Sequence, residues 1–175
     1  KVLSPKVKAL YGDEGLKTWL NNMSEYVLFA IDKSERMIKL AISNFCLSGL
    51  ECKNIHNLNS LSLTDNKDIL IEKLEGKVGL ILTNPPFGAE FKGKDINGYK
   101  LVEHWSQKKP LKVDSEILFV ERYIDWLKPE GICSTVLPDS VLFNKQLYLE
   151  LRNGIRDSIA LKSVVSFPSQ TFAIS

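Results

Sequence analysis

Val78-Gly79-Leu80-Ile81-Leu82-Thr83-Asn84-Pro85-Pro86-Phe87 decides how the rest of this 175-residue chain is read. Its first six residues make an apolar run of the kind that forms strands in the core of a parallel sheet. An amide, two prolines and an aromatic ring then stand at the carboxyl end of that strand. This is the edge where open α/β sheets bind ligands. Each proline fixes φ and lacks an N–H, so the carbonyls of Asn84 and Pro85 are held in place and left to accept hydrogen bonds. Phe87 adds a flat apolar face beside them. Such a set suits an exocyclic amine on a planar ring. A plain strand-ending turn is the alternative, since Asn-Pro often begins one. Two prolines and an aromatic ring after a buried strand weigh against it.

Outward from this stretch, strand and helix signals alternate, which predicts an α/β fold with a doubly wound, mainly parallel sheet. Lys6 to Asn22 reads as short helical pieces interrupted by Gly12 and Gly15. Tyr26 to Ile31 reads as a strand ending at Asp32. Ser34 to Leu47 is an amphipathic helix with Met37, Ile38, Ala41, Ile42 and Phe45 on one face, stopped near Gly49. Asn54 to Leu58 is a short strand ending at Asn59-Ser60, and Asp68 to Leu74 a short helix. Gly88 to Lys112 is a polar loop longer than a domain of this size usually carries without a functional reason. Asp114 or Ser115 caps a helix running to Leu127 and ended by Pro129-Glu130-Gly131. A strand over Ile132 to Leu137, a helix over Lys145 to Ile159 and a strand over Leu161 to Phe167 complete the pattern.

Length predicts one domain over 1–175, with 1–25 an irregular or helical lead-in and 88–112 a loop on the target side. A composition 44% hydrophobic and 25% charged is that of an ordinary soluble protein. The net charge of +2 is too small to mark a nucleic-acid binder, so any basic surface must be local. Cys46, Cys52 and Cys133 are odd in number and lack CxxC spacing, which suggests neither a disulfide framework nor a metal site. Buried free thiols in a reducing cytoplasm are the plain reading. No apolar stretch approaches the length of a membrane span. The chain opens at Lys1 without Met and stops at Ser175 without a closing element, which suggests a piece of something longer.

Three further places carry candidate chemistry. Asp32 closes the first strong strand, where an acid can accept hydrogen bonds from both ribose hydroxyls of a nucleoside cofactor. It can equally cap the helix that begins near Ser34. Asn59-Ser60 ends the next strand and either meets the adenine edge of a bound nucleoside or is a polar turn. In the long loop, Lys92, Lys94, Lys100, Lys108, Lys109 and Lys112 interleave with Phe91, Tyr99 and Trp105. Lysines on phosphates with aromatics on bases make a nucleic-acid surface. A solvated loop has the same composition. His56 and His104 lack triad or metal partners in the sequence, and His56 reads as structural.

With these residues in view, the chain resembles the amino-group DNA methyltransferases, specifically the adenine-N6 modification subunits of type I restriction-modification systems. Asp32, Asn59-Ser60 and Asn84-Pro85-Pro86-Phe87-Gly88 carry the resemblance. So do the helix ending Leu127-Lys128-Pro129-Glu130-Gly131 and the segment Val136-Leu137-Pro138-Asp139-Ser140-Val141-Leu142-Phe143. Arg152 and Phe167-Pro168-Ser169-Gln170-Thr171-Phe172 add to it, so it covers nearly everything from Tyr26 onward. It implies a Rossmann-like S-adenosylmethionine-dependent fold and methyl transfer to the N6 amine of adenine in DNA. Asn84, Pro85, Pro86 and Phe87 would be catalytic, and Asp32, Asn59 and Ser60 cofactor-binding. DNA with a flipped adenine and the specificity and restriction subunits would be partners, in the cytoplasm, without metal or membrane.

The family's Gly-rich cofactor turn has no counterpart between Lys1 and Tyr26, so the resemblance implies an internal fragment, incomplete at its N-terminal side and inactive alone. Asn59 stands where the family more usually has an aspartate. Two other readings stay open. One is a scaffold or DNA-docking module of the same fold. The other is a methyltransferase acting on RNA or on a protein amide.

Overall fold

Leu3–Asn22 form helix α1 in the computed structural model, which describes residues 3–51, 53–62, 73–92, 96, 98–100, 102, 112–143, 148–168 and 171. The chain divides into two units, 1–67 and 68–175.

In the first unit, α1 consists of two helical pieces that meet at Gly12, where φ +72° and ψ −170° are non-helical, as expected of that glycine, while Gly15 makes no second break. The strand expected over Tyr26 to Ile31 needs correction. Met23–Val27 continue α1 as a π-helical turn, closed by Leu28 N–H donating to the Met23 carbonyl. Only Ala30–Asp32 pair as a strand, β1. The cause is tertiary. The Asn54 amide donates to the Ser24 and Glu25 carbonyls at 3.3 and 2.7 Å, and Lys53 pairs with Glu25 at 3.0 Å. These contacts stabilise the turn over the strand propensity of Tyr26 and Val27, which remain exposed.

Helix α2, Glu35–Leu47, is capped by Ser34, whose Oγ accepts from Met37 N–H. Its inward stripe is Ile38, Ala41 and Phe45, while Met37 and Ile42 face outward. Strand β2, Ile55–Asn57, pairs parallel with β1 and sets Asp32 opposite Asn57. His56 lies in β2 with its ring 4.7 Å from that of Phe29, a structural place as the sequence suggests.

In the second unit, strand β3, Val78–Thr83, runs parallel to β6, Leu127–Thr135. Between them in sequence lie the antiparallel strands β4, Glu90–Lys92, and β5, Lys112–Asp114. Helix α3, Ser115–Trp126, follows β5 without a gap and carries the most buried side chains of the unit, Ile117 and Leu118 among them. β6 begins directly at Leu127, earlier than the Ile132 start expected. A bulge absorbs Lys128-Pro129-Glu130 between the pairs Val78–Leu127 and Leu80–Ile132. Gly131 fits there because a Cβ would lie 2.9 Å from the Lys128 carbonyl and 3.0 Å from that of Val78.

β3 is half-covered, not buried on both faces. Ile81 is inside, with Thr83 on the same side bonded to Tyr123 of α3, whereas Leu80 and Leu82 are exposed. Helix α4, Asp139–Phe143, and helix α5, Leu149–Ser158, follow, joined by Arg152 Nη1 donating to the Val141 carbonyl. Leu161 to Phe167, expected as a strand, joins no ladder among the described residues, and Leu161, Val164 and Val165 are exposed. β-propensity becomes a strand only where a neighbour supplies the ladder. Most of the helix expected over 68–74 and residues 145–147 of the one expected over 145–159 lie outside the described residues. No helix among the described residues is long and apolar enough to cross a membrane.

Candidate active site

The chain leaves the β3–β6 pair at Asn84, just past the Thr83–Thr135 partners and the bond from Val136 N–H to the Thr83 carbonyl at 3.2 Å. Asn84 is exposed, Pro85 buried, and Phe87 44% exposed. Among the described residues, nothing engages the Asn84 side chain or the Pro85 carbonyl. Two acceptors therefore stand at the strand's carboxyl end beside an open aromatic ring. An amide oxygen and a carbonyl are acceptors of the kind that the two hydrogens of a planar amine need.

The backbone beyond Pro85 is engaged. Ser115 Oγ lies 3.0 Å from the Pro86 carbonyl and 3.0 Å from Glu116 Oε2. Gly88 N–H donates to Glu116 Oε1 at 3.2 Å, and Ser115 N–H to the Ala89 carbonyl at 2.8 Å. Gly88 adopts φ +77°, in the left-handed region that glycine tolerates and other residues resist. One turn-pair further along α3, the Tyr123 hydroxyl meets Thr83 Oγ1 at 3.1 Å, and burial pushes it up to about 12. Asp114 occupies the N-cap position of α3 but makes no cap bond there. It accepts from the Tyr148 hydroxyl instead, and burial followed by that bond raises Tyr148 far above the ordinary phenol range.

Sequence reasoning selected Ser115 only as a helix cap and missed Glu116 and Tyr123. A signal existed. Glu116, Val120 and Tyr123 follow the i, i+4, i+7 spacing of the apolar stripe, and an acid on such a stripe needs a buried partner.

Asp32, Asn59 and Ser60 belong to the first unit. The Asp32 carboxylate accepts Ser34 N–H through Oδ1 at 2.7 Å, and its carbonyl accepts Leu58 N–H at 3.2 Å. It thus orders the turn into α2 while Ser34 performs the capping. Oδ2 has no partner among the described residues. Asn59 repeats the device, with Oδ1 accepting Leu61 N–H at 3.1 Å and its carbonyl accepting Ser62 N–H at 3.1 Å. Asn59 is exposed, and Ser60 is half-buried in the same turn.

The long loop differs from the expected open surface. Tyr99 and Val102 are fully buried, with the Arg122 guanidinium 5.2 Å from the Tyr99 ring and 5.9 Å from that of Trp126. Tyr99 is thus unavailable for stacking on a base. Lys112 is held by Glu90 at 2.7 Å, and that bond lowers the Glu90 carboxyl below its ordinary range. Lys92 and Lys100 are exposed, while Lys94, Trp105, Lys108 and Lys109 lie outside the described residues. Among the described residues no group of three His, Cys, Asp or Glu side chains is placed to hold a metal ion.

Residues 10–175 match the model of the N-6 DNA methylase family. The chain belongs to that family. The methylase subunit of the EcoEI type I restriction enzyme of Escherichia coli is 25% identical over 146 residues, 83% of this chain and 27% of that protein. The EcoKI methylase subunit of Escherichia coli K12 and the StySJI methylase subunit of Salmonella typhimurium are each 27% identical over 134 residues, 77% of this chain and 23% of theirs. The chain spans about a quarter of the length of these relatives. The acceptor turn and the two strand-end turns described above all lie within the stretch that the family model matches.

Proposed function

We propose that the protein to which this chain belongs transfers a methyl group from S-adenosylmethionine to the N6 amine of adenine in DNA, as the modification subunit of a type I restriction-modification system. The observation that carries this is the pair of unengaged acceptors, the Asn84 side chain and the Pro85 carbonyl, beside the open ring of Phe87. The N6 amine is a poor nucleophile because its lone pair is delocalised into the ring. Acceptors on both of its hydrogens favour a more tetrahedral nitrogen and return the lone pair to it. Phe87 stacks on the base, which must leave the duplex to reach it. Catalysis of this kind is positioning and electrostatics.

The residues of the strand-end turns fit the cofactor. Asp32 keeps one carboxylate oxygen for ribose hydroxyls, and Asn59 presents an amide N–H where an adenine ring nitrogen can accept it. S-adenosylmethionine, when bound, supplies an electrophilic methyl on a positively charged sulfonium. The fold is, on this reading, part of one doubly wound Rossmann-like catalytic domain covering 1–175. Specificity and restriction subunits are its partners, and the cytoplasm is its place of action.

The test is methyl incorporation by the full-length protein with its partner subunits, offered duplex DNA, RNA and protein in parallel. Label in adenine of duplex DNA is expected. Label confined to RNA or to protein amides would replace the substrate, and none in any acceptor would favour a scaffold of the same fold.

A further inference from the structure

We propose that Ser115 and Glu116 are positioning residues for Phe87, a role that rests on reading the Asn84–Phe87 turn as the amine-binding end of the site. The prolines fix φ at 85 and 86 only. The direction of the Phe87 ring depends on the two peptide units that flank its Cα, one ending in the Pro86 carbonyl and the other in the Gly88 N–H. Those are the two groups that Ser115 Oγ and Glu116 Oε1 hold, at 3.0 and 3.2 Å. The ring is therefore oriented by residues 28 and 29 positions away from the groups they bind.

The chemistry of the pair argues for position over proton transfer. Ser115 is 1% and Glu116 5% exposed. Oε1 accepts from Gly88 N–H, and Oε2 lies 3.0 Å from Ser115 Oγ, whose single hydrogen is shared between Oε2 and the Pro86 carbonyl. Both oxygens lie against groups of the protein. A buried carboxylate is costly unless its partners need it. Here the partner is a left-handed glycine, at φ +77°, with no helix or strand to stabilise it. The conformation at 88 and the bond from Glu116 support each other.

Two readouts in the full-length protein with its partner subunits test this. In methyl transfer to duplex DNA, Glu116→Ala is expected to lower kcat by about 100-fold, the scale of a misplaced reacting group. KM for S-adenosylmethionine should stay within about twofold, because the contacts it loses are on the acceptor side. Glu116→Gln keeps one oxygen for Gly88 N–H and should recover kcat to within about tenfold of wild type. A kcat for Glu116→Ala within about threefold of wild type, or a Gln variant as impaired as Ala, overturns the proposal.

The second readout does not depend on activity. Hydrogen exchange of the peptide spanning 84–92, followed by mass spectrometry, should be at least about tenfold faster in Glu116→Ala than in wild type or Glu116→Gln. Ser115→Ala serves the same measurement should the Ala variant at 116 fail to fold. Equal exchange in all variants overturns the brace. A wild-type protein that methylates nothing but shows the exchange pattern removes the functional reading and leaves the brace standing.

Discussion

The turn at Asn84–Gly88 and the turns at Asp32 and Asn59 occupy equivalent places, each at the carboxyl end of a parallel strand, yet they are held in opposite ways. The Asn84 turn is braced by buried side chains from α3, reaching across the β4–β5 segment. The Asp32 and Asn59 side chains instead bond N–H groups only two residues on, although the Asp32 carbonyl also accepts from Leu58 N–H and the Asn57 amide. A brace from elsewhere in the chain fixes a backbone while leaving its own acceptors unused. A local turn uses one atom of the functional side chain and leaves the other. The first suits a group that must hold a reacting nitrogen to within a fraction of an ångström. The second suits a cofactor held by several contacts, each of which can adjust.

Substitutions can break this contrast, beginning with the largest effect. Asn84→Ala removes the proposed acceptor and should lower single-turnover methyl transfer by about 100- to 1000-fold, the usual cost of losing one preorganised group in a transition state. Cofactor affinity, read by calorimetry, should hardly change. Asp32→Ala should do the reverse. On the proposed reading it removes charge-assisted hydrogen bonds to the cofactor of about 1.5–3 kcal/mol, weakening S-adenosylmethionine binding by about ten- to 100-fold with the rate at saturation retained.

How far the sequence announces this contrast depends on the range of the contacts. Asn84, Pro85, Pro86 and Phe87 are legible because prolines and an amide after an apolar run are a local pattern, and β3 forms where that pattern puts it. The start of α2 is legible only in part: the sequence offers Asp32 as its cap, and the structure gives the cap to Ser34 while Asp32 holds the Ser34 N–H. What the sequence hides is long-range. Tyr26 and Val27 have strand propensity, and only the Asn54 and Lys53 contacts show why they continue a helix instead. Tyr99 looks like a stacking residue until Arg122 is found over its ring. Glu116 lies on the apolar stripe of α3, but only the structure shows that its partner is Gly88. The apolar run at Leu161 to Phe167 shows the converse, a strand signal that meets no ladder among the described residues.

Smaller effects sharpen the picture of the braced turn. Gly88→Ala should destabilise the protein by about 1–2 kcal/mol, the cost of a left-handed conformation for a residue with a Cβ. Space is not the reason, because a Cβ there would meet nothing within 4 Å. A shift in the urea midpoint without a change in slope is the expected observation. Tyr123→Phe should cost about 1 kcal/mol through loss of the bond to Thr83. It should also change the alkaline limb of stability. The Tyr123 hydroxyl is raised to about 12 in the folded protein, so its contribution is full below the unfolded value of about 10 and is lost as pH rises through about 12. Wild type should lose stability across that window faster than Tyr123→Phe, as denaturation at stepped pH would record.

The most direct measurement sets Asn84→Ala and Asp32→Ala side by side in the full-length protein with its partner subunits, following labelled methyl into duplex DNA under single turnover. The rate at saturating cofactor should collapse in the first variant alone, cofactor affinity should fall in the second alone, and the label should be recovered as N6-methyladenine. Loss of the same parameter in both variants, or label on any atom other than the adenine amine, would contradict the division between a braced reacting end and a locally held cofactor end.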